Sequence, residues 1–140
     1  MSMWKVKKPS MGDHIRVNRG LYYHHGIYAD DFCVFHFASP SENEMNPETA
    51  RVLYTTLEEF LKDGILEVRE YTSDESNKKR SPKEIIDAAV KSIGEGGYNL
   101  ISNNCEHFAN RCVFGEAKSE QVDAVKEFLR RILWKKVSQV

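Results

Sequence analysis

Hydrophobic and polar residues alternate in short runs through much of the chain, and these runs predict strands with helices between and after them. After a turn at Gly12-Asp13, the segment His14-Ile15-Arg16-Val17 reads as a short strand. Asn18-Arg19-Gly20 turns the chain again, and Leu21 to Tyr28 is dense in tyrosine, histidine and isoleucine, a strand composition. Asp30-Asp31 reads as a hairpin tip, with Phe32 to Ala38 returning as a strand apolar enough to be buried on both faces. Ser39 to Glu48, with Pro40 and Pro47, is a polar surface loop, and Arg51 to Thr55 suits another strand. Thr56 and Glu59 make a capping box for a short helix that runs to Lys62 and stops near Gly64. Ile65 to Tyr71 alternates as a strand, and Thr72 to Arg80 is a polar, mobile loop.

Helical spacing dominates the remainder. Ser81 as cap, Pro82 at the first helical position and Glu84 at the third open a helix with an apolar face of Ile85, Ile86, Ala89, Val90 and Ile93. Gly94 to Gly97 ends it, and Tyr98-Asn99-Leu100-Ile101 leads into a second helix that closes at Gly115. Ser119 opens the last helix, with Val122, Val125, Phe128, Leu129, Ile132, Leu133 and Val137 in its stripe. Its other face is basic, with Lys126, Arg130, Arg131, Lys135 and Lys136 beside Trp134. That stripe suits packing on the domain, and the basic face suits an anionic membrane surface. Residues 1–10 read as a loosely packed arm, 11–115 as the folded body and 116–140 as the amphipathic helix.

Composition narrows the class. A chain of 140 residues with 41% hydrophobic and 29% charged residues is one soluble globular domain. Its formal net charge of -1 argues against a general nucleic-acid binder. Cys33, Cys105 and Cys112 have neither metal-ligand spacing nor a disulfide pattern, so no metal or cofactor is expected and free thiols in a reducing compartment fit best. The basic N-terminal residues lack the apolar run of a signal peptide, and no apolar run is long enough to span a bilayer. A cytoplasmic protein, at most peripheral to a membrane, is the expectation.

The chemistry concentrates at Ser102-Asn103-Asn104-Cys105-Glu106-His107-Phe108-Ala109-Asn110. Asn103 or Asn104 can cap a helix there, with Phe108, Cys112 and Val113 as its buried stripe. Cys105 falls in the first turn, where unpaired N–H groups and the helix dipole favour a thiolate and a lowered pKa. The commonest fate of a free cysteine is nevertheless that of a small buried hydrophobe. A nucleophile also needs an imidazole base, and the base needs a group to hold its tautomer. His14 lies in the first strand, and His107, two residues past Cys105 on a helix, points away from it. A hairpin turning near Asp30 sets His24 opposite His36 on one face of adjacent strands. A lone strand histidine is usually a core or surface residue; two that meet are harder to dismiss.

Tyr22-Tyr23-His24-His25-Gly26-Ile27-Tyr28, then Val34-Phe35-His36-Phe37, then Asn104-Cys105-Glu106-His107-Phe108 resemble the lecithin:retinol acyltransferase-like proteins across roughly residues 10 to 115. The resemblance implies an α+β, circularly permuted papain-like fold, shared with the NlpC-type peptidases. In it an antiparallel sheet packs against helices, with the cysteine at a helix N-terminus. It implies Cys105 as nucleophile, His24 as general base, His36 as the orienting group and Tyr22 as an aid to the oxyanion. His25 stands where the family usually has tyrosine or tryptophan and is the alternative base. Known animal members pass a fatty acyl group from a phospholipid, through a cysteine thioester, to water, an amine or an alcohol. Members commonly end in a hydrophobic anchor, whereas this chain ends in the basic amphipathic helix. An acyl-donor lipid is therefore the expected partner. Competing readings are an NlpC-type amidase or peptidase, a non-enzymatic binding module on the same fold, and a redox-sensing thiol.

Overall fold

The computed structural model describes residues 3–39, 46–99, 103–115, 130 and 131. Six strands and four helices are described: β1 Met3–Lys5, β2 His14–Asn18, β3 Tyr23–Asp30, β4 Cys33–Ala38, β5 Arg51–Thr55, α1 Leu57–Leu61, β6 Leu66–Glu70, α2 Ser73–Lys78, α3 Pro82–Ser92 and α4 Cys105–Phe114. The strands form one sheet in the order β1-β6-β2-β3-β4-β5, and every neighbouring pair is antiparallel. The architecture is α+β. Among the described residues, no helix is long and apolar enough to cross a membrane.

Strand alternation divides the apolar side chains between the two faces of the sheet. Ile15, Val17, Tyr28, Val34 and Val68 cluster on one face with Phe60 of α1. Ile27, Phe35, Phe37 and Val52 cluster on the other with Ile85 and Ala89 of α3 and with Phe108, Ala109, Cys112 and Val113 of α4. Phe37, Phe60 and Phe108 lose all contact with solvent. Each contributes about 1.5–3 kcal/mol of burial.

Four expectations change. The N-terminal arm is not loosely packed, because Met3–Lys5 adds an edge strand to β6, pairing Trp4 with Arg69. The Thr72–Arg80 loop contains α2, opened by a reciprocal capping box between Thr72 and Glu75. No apolar stripe marks that helix; Glu75 anchors it through an ion pair with Arg69 at 2.7 Å. On α3 only Ile85 and Ala89 are buried, while Val90 and Ile93 stay substantially exposed. The β3–β4 hairpin is also displaced by two residues. Ile27 pairs with Phe35 and Tyr28 with Val34, so the same ladder, continued, sets Gly26 opposite His36. The turn comes at Asp31-Phe32, with the Asp30 carboxylate accepting from the Phe32 N–H at 2.8 Å and an irregularity between Tyr28 and Asp30. A shift of two, unlike a shift of one, keeps every side chain on its original face. The expected helix over 116–140 lies outside the described residues except for Arg130 and Arg131, as do Leu100, Ile101, Ser102 and the middle of the 39–48 loop.

Candidate active site

Asn104 caps α4, and Cys105 is its first residue. The Asn104 side chain accepts from the His107 N–H at 3.0 Å, while the His107 ring Nδ1 accepts from the Asn104 N–H at 3.1 Å. His107 thus belongs to the cap. Asn103, the other candidate cap, instead pairs its backbone with Asn99 and accepts from Arg111 Nη1 at 2.8 Å.

The Cys105 Sγ reaches the edge of β3 just beyond the last β3–β4 pair. It takes the His25 N–H at 3.5 Å and lies 3.7 Å from the Tyr23 carbonyl oxygen, so it bears on the backbone on either side of His24. The side chain is 4% exposed. Burial pushes its pKa up to about 11, against the His25 N–H and the first N–H groups of α4, which pull it down. The expected lowering at a helix start is therefore reversed. The backbone N–H groups act in the expected direction, and the loss of water outweighs them.

His24 and His36 meet on the α1 face of the sheet. His24 Nε2 lies 2.9 Å from His36 Nδ1, a diagonal contact rather than the directly opposed pair that a turn at Asp30 predicts. Gly26 opens the room between them, since a Cβ there would stand 2.8 Å from Phe60 Cε2 and 3.0 Å from the Phe35 carbonyl oxygen. Phe60 fills that room, stacked on His24 at 5.2 Å and edge-on to His36 at 5.1 Å. His36 Nε2 lies 2.8 Å from Thr55 Oγ1. His24 Nδ1 is buried and has no hydrogen-bond partner. Burial, then His36 and Arg19, hold His24 well below the usual histidine range, and burial takes His36 to about 4. Tyr22 sits just before β3, its ring edge-on to His24 at 6.3 Å. Arg19 ties this turn to α1 by donating to the Phe60 and Leu61 carbonyls.

His25, the alternative base, projects to the α4 face together with its β2 partner Arg16. Its backbone touches Cys105, but its ring Nδ1 is held by His14 Nε2 at 2.7 Å. Trp4 covers both rings, at 5.0 Å from His14 and 5.5 Å from His25. Arg69 lies behind them, 3.4 Å from His14 Nδ1 and 2.6 Å from Asn110 Oδ1 of α4. No cluster of metal-ligand type occurs among the described residues.

The sequence model of the family described as lecithin retinol acyltransferase matches residues 7–118, most of the chain. The chain belongs to that family. Among curated relatives, Phospholipase A and acyltransferase 3 of Homo sapiens is 34% identical over 128 residues, covering 84% of this chain and 78% of the relative. Phospholipase A and acyltransferase 5 of Homo sapiens is 35% identical over 124 residues, covering 83% and 44%. Phospholipase A and acyltransferase 4 of Homo sapiens is 28% identical over 130 residues, covering 86% and 79%.

In this member of the lecithin retinol acyltransferase family, a thiol at a helix start thus lies against a strand whose histidine has one nitrogen bound and one unbound. A thiol and an imidazole brought to one strand are the residue types that proton exchange between sulfur and nitrogen requires. Sequence reasoning missed Phe60, Thr55 and the Trp4–His14–His25–Arg69 cluster. Only Gly26 carried a signal, because glycine inside a strand marks a close approach.

Proposed function

We propose that this chain is a cysteine acyltransferase and phospholipase that takes an acyl group from a phospholipid ester onto Cys105. His24 supports the reading most directly: its Nε2 is engaged by His36, and its Nδ1 is buried without a partner on the strand that Cys105 Sγ touches. A buried polar atom left unsatisfied costs about 1–3 kcal/mol, and function is one reason to keep one. The names of the relatives, phospholipase A and acyltransferase, supply the substrate class. The histidine strands precede the cysteine helix in chain order, and we read the fold as the circularly permuted papain-like arrangement.

Burial leaves both partners neutral at rest, the thiol protonated and His24 unprotonated at one nitrogen. His24 Nδ1 takes the Cys105 proton as sulfur attacks the ester carbonyl. Backbone N–H groups at the start of α4, with Tyr22, hold the oxyanion, each donor worth about 3 kcal/mol. Collapse breaks the ester C–O bond, and His24 returns its proton to the departing lysophospholipid oxygen. Water or another acceptor then gives a proton to His24, attacks the thioester and restores the thiol. His36 accepts from His24 Nε2–H throughout and stabilises the imidazolium.

Intact-protein mass spectrometry after incubation with a phosphatidylcholine tests the reading. An acyl adduct is expected on the wild type and none on Cys105→Ala. A folded wild type with an accessible thiol, no adduct and no released fatty acid would rule out the lipid substrate. The basic face of the sequence over 119–140 further supports contact with anionic lipid, which vesicle flotation with and without those residues tests.

A further inference from the structure

Cross-strand geometry carries the hydrogen-bond chain beyond His36. Thr55 of β5 pairs with Val34 and therefore shares the sheet face of His36. Its Oγ1 lies 2.8 Å from His36 Nε2 and 3.2 Å from the Thr56 carbonyl oxygen. In one polarity the single hydroxyl proton of Thr55 goes to the Thr56 carbonyl and its lone pair is left for His36. His36 must then carry its proton on Nε2 and present Nδ1 as an acceptor. His24 in turn donates Nε2–H to it, and His24 Nδ1 becomes a lone pair.

The opposite polarity is also geometrically open, and it disables the site. If the Thr55 hydroxyl donated to His36 Nε2, the His36 proton would sit on Nδ1, which lies 3.2 Å from the Phe37 carbonyl oxygen. His24 Nε2 would then accept, and Nδ1, the buried nitrogen without a partner, would carry the proton and could take none from a thiol. We propose that Thr55, held by the Thr56 carbonyl at the cap of α1, is a positioning residue that sets the tautomers of His36 and His24 and so makes His24 Nδ1 the base.

The inference rests on the reading of His24 as base, but its readout needs no lipid. In the full chain labelled with 15N-histidine, both His24 and His36 are expected to be protonated on Nε2. In Thr55→Val the proton of His36 moves to Nδ1. Alkylation of Cys105 by iodoacetamide near neutral pH slows, and acyl-adduct formation falls about ten- to hundredfold in kcat with little change in KM, the scale known for partners that fix the tautomer of a metal-ligating histidine. Thr55→Ser restores the hydroxyl and most of the rate. A wild-type His24 protonated on Nδ1 overturns the proposal, and that measurement stands even if Thr55→Val fails to fold. Unchanged tautomers and alkylation in a folded Thr55→Val overturn it equally. Correct tautomers with no acyl adduct on the wild type would instead count against the phospholipid reading alone.

Discussion

His24 with His36 and His14 with His25 are both contacts between buried imidazoles on adjacent antiparallel strands, Nε2 to Nδ1, at 2.9 and 2.7 Å. They lie on opposite faces of one sheet. The first pair ends at His24 Nδ1, a nitrogen with no partner. The second runs to Arg69, whose Nη atoms bond Asn110 and Glu75 while its Nε is buried without a partner, and Trp4 roofs it. Distance and burial are nearly the same, so neither tells the two pairs apart. The difference is which nitrogen is left over: His24 Nδ1, on the strand that Cys105 Sγ touches, against Arg69 Nε behind the other pair.

Substitution at each pair breaks this comparison most directly. His24→Gln should reduce acyl-enzyme formation by about a thousandfold or more, as the loss of a general base does. His25→Phe should leave the adduct forming within a few-fold of the wild-type rate, because residue 25 meets Cys105 through its backbone N–H, which Phe retains. Its cost is in stability, about 1–3 kcal/mol for stranding the ring of His14. Rates from mass spectrometry and midpoints from urea melts should therefore move in opposite order for the two variants. If His25→Phe loses the adduct and His24→Gln keeps it, the roles assigned to the faces are reversed.

Acid tests what the pairs share. Burial holds His14 and His24 well below the usual histidine range and takes His25 to about 3 and His36 to about 4. Below about pH 6.5 the unfolded chain binds protons that the folded chain refuses, so stability falls as pH falls, and above that value these groups contribute no slope. Each such histidine costs about 1.4 kcal/mol per pH unit until its folded pKa is reached. Urea midpoints should be level from pH 8 to 7 and drop steeply from 6.5 to 5. A flat profile there would mean that the imidazoles are not excluded from protonation. The thiol supplies the matching test at the other end of the scale. Thiolate absorbance should develop only toward pH 11, and a plateau already present at pH 7 would reveal a resting ion pair.

Gly26 sharpens the comparison through packing. In Gly26→Ala the new Cβ meets Phe60 Cε2 at 2.8 Å and the Phe35 carbonyl oxygen at 3.0 Å, and the second of these belongs to the ladder and cannot swing aside. Overpacking of this kind costs about 1–3 kcal/mol. Phe60 stacks on His24, so adduct formation should slow as well, whereas the His14–His25 pair lies on the other face of the sheet from Phe60. Equal urea midpoints for Gly26→Ala and wild type would show that the room beside the His24–His36 pair is not tight.

Parity alone placed His24 and His36 on one face, because a strand has a period of two and a two-residue error in the turn leaves faces unchanged. The partner across the ladder was beyond reach, since it depends on where the chain turns, and the Asp30 side chain bonding to the Phe32 N–H moved that point. Asn104 and Cys105 stood out because a cap followed by an apolar stripe is a local signal. Thr72 and Glu75 carry a cap as plain as any, yet α2 has no buried residue, and the missing stripe disguised it as loop. The roof over His14 and His25 had no signal at all. Three residues at the chain start become a strand only because the edge of β6 is there to pair with.

That roof yields the smallest expected effect. Trp4 is only partly buried, and Trp4→Ala removes edge contacts at 5.0 and 5.5 Å to the two rings and the stack with the Arg16 guanidinium at 4.2 Å. Aromatic and cation–π contacts of this kind are worth about 0.5–1.5 kcal/mol each, and water can partly replace them at an exposed edge. The unfolding free energy from urea melts should fall by about 1 kcal/mol at pH 8, with adduct formation unchanged. Desolvation is the first cause of the low pKa of both His14 and His25, so admitting water should raise their folded values toward 6.5. The variant should then lose less additional stability than the wild type between pH 6.5 and 5, and the gap between the two should narrow on acidification. A gap that widens instead would show that Trp4 contributes through the edge strand, by holding β1 to β6, and not as a cover over the histidines.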